Sequence, residues 1–106
     1  MSRNSAKDKA AAMLSLAQKA GRIAGGAFAA ERAIRGGEAC LVILAADASE
    51  NTRKKYTNMA AWHRVPLLVF LDREELGHRI GKAERSVLAV TDPHFAEAIQ
   101  KQLISE

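Results

Sequence analysis

The chain has 106 residues, 48% hydrophobic and 26% charged, a size suited to one compact domain. No window approaches the ~18 apolar residues of a membrane helix, "MSRNSAKDKAAAML" lacks the apolar core of a signal peptide, and a lone Cys40 excludes a disulfide framework or a thiolate metal cluster. The net charge of +4 is uneven: residues 1–37 hold seven Lys or Arg (Arg3, Lys7, Lys9, Lys19, Arg22, Arg32, Arg35) against Asp8 and Glu31, while the other 69 residues hold nine against ten acids, so a cytoplasmic protein with one end facing a polyanion is expected.

A first helix is expected over residues 6–20, where Ala10, Met13, Leu14, Ala17 and Ala20 recur at helical spacing, Leu16 widens the stripe and Gly21 ends it. Ile23 and Ala24 form a short extended piece before Gly25 and Gly26. A second helix then carries Phe28, Ala29, Ala30, Ala33 and Ile34 and stops at Gly36 and Gly37. Its entry lacks the usual Ser, Thr, Asp or Asn cap. The run "CLVILAA" is continuous and branched rather than alternating, which predicts a strand buried on both faces.

Ser49 caps a third helix that runs to about His63, with Tyr56, Met59, Ala60 and either Trp62 or His63 facing inward. "VPLLVFL" predicts a second buried strand, Asp72 caps a short helix "REELGHRI", and "SVLAV" predicts a third strand. Thr91 or Asp92, with Pro93, opens a last helix over residues 93–104 that turns Phe95, Ala96, Ile99 and Leu103 inward. This alternation implies the α/β class: a single three-layer α/β/α sandwich around a mainly parallel or mixed sheet of about four strands. Residues 10–106 are expected to form the domain and residues 1–9 a flexible lead-in.

Catalytic chemistry needs groups that converge, and none do. His63, His78 and His94 fall on three different helices at no metal-ligand spacing. Neither GxGxxG nor GxxxxGK[ST] is present, so no nucleotide cofactor is expected. Asp47 stands at the carboxyl end of the first long strand, either as a functional group or as a loop carboxylate turning the chain into the next helix. What remains is Gly25-Gly26 at a helix start, where free N–H groups and the positive helix end can receive an anion, flanked in sequence by Lys19, Arg22 and Arg32. The alternative there is a plain turn.

"MLSLAQKAGRIAGG", "AIRGGEACLVILAADASENTRKKY", "VPLLVFLDREELGHRIGK" and "VLAVTD", in this order over roughly residues 12–100, resemble the ribosomal large-subunit protein family that binds kink-turn RNA, and its bacterial YlxQ-type members in particular. The resemblance implies the same sandwich and an RNA grip at one end of it. It places contacts at the glycine-led start of the second helix (Gly26), a basic residue one turn on (Arg32), the loop after the first long strand (Asp47) and the stretch from Lys82 to Arg85. One departure stands out. Where kink-turn binders carry an Asn-Glu pair that reads sheared G·A pairs, this chain has Phe28 and Ala29, and the apolar loop that packs on extruded bases is shortened to "GKAERS".

Affinity is therefore expected to lean on phosphates, with a base stacked on Phe28 if its ring is exposed; the other reading makes Phe28 a core residue. The resulting expectation is a non-enzymatic, monomeric RNA-binding protein without cofactor or metal. It would recognise structured RNA, such as ribosomal or kink-turn-like RNA or the ribosome itself, through Lys19, Arg22, Gly25, Gly26, Phe28, Arg32, Asp47, Lys82 and Arg85. The alternatives are a protein interaction module on the same scaffold and a substrate-recruiting domain of a longer RNA-binding or RNA-modifying chain.

Overall fold

Helix starts need an acceptor for amides that the helix itself cannot satisfy, and most starts in this chain bring one. In the computed structural model, which describes residues 5–104, Ser5 accepts from Asp8 N–H, Ser49 from Thr52 N–H, and Asp72 from Glu75 N–H within a reciprocal capping box. Asp92 accepts from the amides of His94 and Phe95 at 2.8 and 3.0 Å. These residues open α1 (Ala6–Lys19), α3 (Glu50–Trp62), α4 (Arg73–Arg79) and α5 (Pro93–Ile104). The exception is α2 (Ala27–Arg35), which starts at Gly26 with no side chain to cap it.

Four strands, β1 (Ile23–Gly25), β2 (Leu41–Leu44), β3 (Leu67–Val69) and β4 (Val87–Val90), form one sheet in the order β1-β4-β2-β3. β4 is antiparallel to both β1 and β2, and only β2 and β3 are parallel, so the sheet is mixed rather than mainly parallel. The reversal has a local cause. β3 leads into α4, and the following loop folds back until Arg85 N–H bonds the Arg73 carbonyl at 3.0 Å, so β4 sets out from the end where β3 stops.

The two central strands are buried on both faces, as a continuous apolar run requires. Leu41, Ile43, Leu88 and Val90 pack beneath α1, α4 and α5 with Leu14, Leu76 and Ile99. Val42, Leu44, Val87 and Ala89 pack beneath α2 and α3 with Ile34 and Tyr56. The three-layer sandwich expected from the strand and helix alternation is therefore present.

Two local expectations change and one alternative is settled. "VPLLVFL" is not a long buried strand: β3 covers only residues 67–69 at a sheet edge, Val69 is 44% exposed, and Leu71 at φ 64° turns the chain out of the ladder. Phe70 and Leu71 are buried as loop residues instead. At the end of α3, a helix advances ~100° per residue, which turns His63 partly inward and leaves Trp62 83% exposed. Of the expected flexible lead-in, residues 1–4 lie outside the described residues, while residues 6–9 already form the first turn of α1 behind the Ser5 cap. Among the described residues no helix is long and apolar enough to cross a membrane.

Candidate nucleic-acid interface

β1, β2 and β3 end, and β4 begins, at the same pole of the sandwich, which therefore gathers the starts of α2, α3 and α4. Gly26 sits there at φ 95° and ψ 168°, a conformation that a side chain tolerates poorly. Its own N–H is not free, because it extends the sheet by donating to the Val87 carbonyl at 3.0 Å. The amides on offer are those of Ala27, Phe28 and Ala29, which helix geometry leaves without intrahelical partners. Arg85 lies across this glycine: a Cβ on Gly26 would come within 3.3 Å of Arg85 Nε. Tyr56 donates its hydroxyl to the Ala27 carbonyl at 3.0 Å, tying the helix start to α3, and burial raises the phenol pKa so that it remains a donor.

Phe28 is 76% exposed, which removes the core reading. The inner face of α2 is already filled by Ala30, Ala33 and Ile34. Arg32, one turn on, holds its guanidinium 5.7 Å from the centre of the Phe28 ring, so the aromatic face and the cation share one surface. Gly25, Gly26, Ala27, Phe28 and Arg85 line a shallow groove with Thr52 from the start of α3. Lys82 is exposed in the loop that carries Arg85.

Asp47 is at this pole but engaged. It accepts from the backbone N–H of Arg73 at 2.9 Å and from Arg73 Nε at 3.3 Å, and Arg73 also reaches Glu84 at 3.6 Å. Asp47 thus braces the start of α4 and, through Arg73, the loop bearing Arg85, rather than turning the chain into α3, whose cap is Ser49. Two cations that sequence reasoning missed stand here as well: Arg73, and Arg53, whose Nη2 donates to the Ala46 carbonyl at 3.3 Å. Both fall in the first turn of a helix that follows a strand, a placement legible only once the strands are known to end together.

Lys19 and Arg22 do not join the pole. Arg22 precedes β1, its carbonyl accepts from Thr91 N–H at 2.9 Å, and its guanidinium faces Asp92 at 3.9 Å. The three residues of β1 separate it from Gly26, four steps of extended chain or roughly 13 Å. Lys19 ends α1 beside that opposite end. Nearness in sequence was misleading because the intervening residues are a strand.

Hydrogen bonds from the Arg73 backbone hold the Asp47 carboxyl below its ordinary pKa, and those from the Phe95 and His94 backbones do the same for Asp92. Folded-state values below the unfolded ones mean that both contributions are complete above about pH 4 and are lost as pH falls through the folded values. Thermal melts are accordingly expected to show stability falling below about pH 4, with a shallower fall in Asp92→Asn, which keeps the cap acceptor and loses the charge. An unchanged acid limb in that variant would contradict the assignment.

Fold and pole together define a small α/β/α sandwich protein with an uncapped helix start, an exposed aromatic ring and arginines on one surface. The chain belongs to the ribosomal protein L7Ae/L30e/S12e/Gadd45 family, whose model matches residues 8–100. It is 40% identical over 87 residues to the "RNA-binding protein YlxQ" of Bacillus subtilis, covering 82% of this chain and 87% of that one. It is 35% identical to the protein of the same name from Enterococcus faecium, covering 92% and 93%. A solved structure of a Bacillus halodurans protein of unknown function superposes with a TM-score of 0.85 at 33% identity, covering 90% of this chain and 96% of that one. A Giardia lamblia 15.5 kD RNA-binding protein shares the fold with a TM-score of 0.76 at 17% identity, covering 97% and 88%. The resemblance read from the order of motifs is thus borne out.

Proposed function

We propose that this protein is a non-enzymatic, cytoplasmic binder of structured RNA, ribosomal or kink-turn-like, and that it grips RNA at the pole where α2 begins. The observation that carries this reading is the exposed Phe28 ring beside uncapped amides, with Arg32 over its face and Arg85 across Gly26. A phosphate would be received by the Ala27, Phe28 and Ala29 amides at the positive helix end. Arg85 and Lys82 would flank the backbone on one side and Arg32 on the other. An unstacked base would lie on Phe28 in place of the hydrogen bonds that an Asn-Glu pair would make. The names of the YlxQ relatives support the RNA class. A purely apolar docking role for Phe28 suits the arrangement less well, because an arginine already covers part of the ring.

Binding of a kink-turn hairpin is expected to weaken with salt, with a log-log slope corresponding to about three neutralised phosphates. Arg32→Ala should weaken binding and make that slope shallower by about 1, whereas Arg22→Ala, at the far end of β1, should leave both nearly unchanged. Fluorescence anisotropy across a salt series would decide the matter. Salt-independent binding, or equal losses in the two variants, would remove the proposed site.

A further inference from the structure

Trp62 and Phe28 are the two most exposed aromatic side chains among the described residues, and both stand on the layer formed by α2 and α3. The two helices start at the same pole, so Phe28 lies near that pole and Trp62 at the opposite end. Each lines its own surface groove. One runs along α2 from Phe28 past Arg32 to Arg35; the other passes from Arg35 between the helices to Lys55, Asn58 and Trp62. Arg35 lines both, so the two grooves meet at its side chain.

Its charge suits a polyanion. Glu31 bridges Arg35 at 2.9 Å and Lys55 at 3.1 Å, so one carboxylate holds two cations in place and leaves the trio with a surplus positive charge. Those cations stay more than half exposed, and Arg32 adds another, against the single further acid Glu38. Around Trp62 the neighbours are Arg35, Lys55, Asn58 and His63, with Met59 beneath at only 8% exposure. Lysine is depleted at the core of a protein-binding patch, and here Lys55 stands beside the anchor. Basic side chains framing an exposed aromatic are instead the composition of a single-strand stacking platform.

The geometry points to a second RNA subsite at Trp62, where an unpaired base of a single-stranded segment leaving the pole stacks on the indole while its phosphates pass Arg32, Arg35 and Lys55. This rests on the RNA reading above and extends it from a structured element to one with a single-stranded flank.

The test uses the full chain, whose single tryptophan reports directly on stacking. A blunt kink-turn hairpin is compared with the same hairpin bearing a short oligoadenosine tail at either end. A tail on one end is expected to tighten binding about tenfold and to quench Trp62 fluorescence. Trp62→Ala should erase the gain and Trp62→Phe retain most of it, with affinity for the blunt hairpin unchanged in both. Equal binding of blunt and tailed hairpins with Trp62 unquenched overturns the subsite, leaves the pole standing and turns this face over to a protein partner. Failure of all the hairpins to bind overturns both readings.

Discussion

Gly77→Ala is expected to be the most destabilising single-methyl change at a glycine in the fold, lowering stability by about 3 kcal/mol or more. Gly77 is buried in α4, and its carbonyl accepts the amides of Ile80 and Lys82 at 3.1 and 2.8 Å as the chain folds back over the helix. A Cβ there would enter the Ala83 carbonyl group, 2.6 Å from its carbon and 2.9 Å from Glu84 Cα. Both obstacles are backbone, so no rotamer change relieves them; the loop must lift. For a domain of this size such a loss corresponds to a Tm lower by roughly 12–24 °C. Gly81→Ala is the control, because Gly81 is at φ 71° with nothing within 4 Å of the added methyl, so its cost is confined to backbone strain of about 1–2 kcal/mol. If calorimetry found Gly77→Ala no worse than Gly81→Ala, the close approach would be wrong. Because the displaced loop carries Lys82 and Arg85, any folded fraction of Gly77→Ala should also bind RNA more weakly.

That close approach gives physical content to part of the stretch "ELGHRIG", which the sequence presented only as a motif. Other elements were legible directly. The continuous, branched apolar run at Leu41–Leu44 reads as a strand buried on both sides, and Ser49 and Asp72 mark helix starts by their own chemistry. "VPLLVFL" misled because hydrophobicity reports burial and not backbone pairing: Phe70 and Leu71 enter the core from a turn. The candidate site was half legible. Gly25, Gly26, Phe28 and Arg32 fall at or one turn from the pole, because a glycine-led helix start has local causes, whereas Lys82 and Arg85, in the loop before β4, were indicated only by the family resemblance. Lys19 and Arg22 were misplaced, and Arg53 and Arg73 missed, because their positions depend on strand direction and order, which no local pattern encodes.

The second large effect concerns Phe28 itself. Phe28→Ala is expected to weaken binding of a kink-turn hairpin by about 1–3 kcal/mol, roughly 5- to 150-fold, the usual cost of removing an aromatic platform from a stacked base. The fold should be indifferent, since the ring is exposed and the α2 face toward the sheet is Ala30, Ala33 and Ile34. An unchanged melting curve therefore accompanies the expected loss. Salt separates this contribution from that of the neighbouring cation. Removing a stack changes the slope only as far as Arg32 loses its support, whereas Arg32→Ala removes a whole cation and makes the slope shallower by about 1. The two losses should not add: the Phe28 ring supports Arg32 at 5.7 Å, so deleting it also frees the guanidinium, and the double variant should bind better than the sum of single losses requires. Phe28→Tyr, which keeps the ring, should retain most of the affinity. Equal weakening by Phe28→Tyr and Phe28→Ala would mean that the ring does not stack on a base, leaving only the amides of α2 and the arginines as the grip.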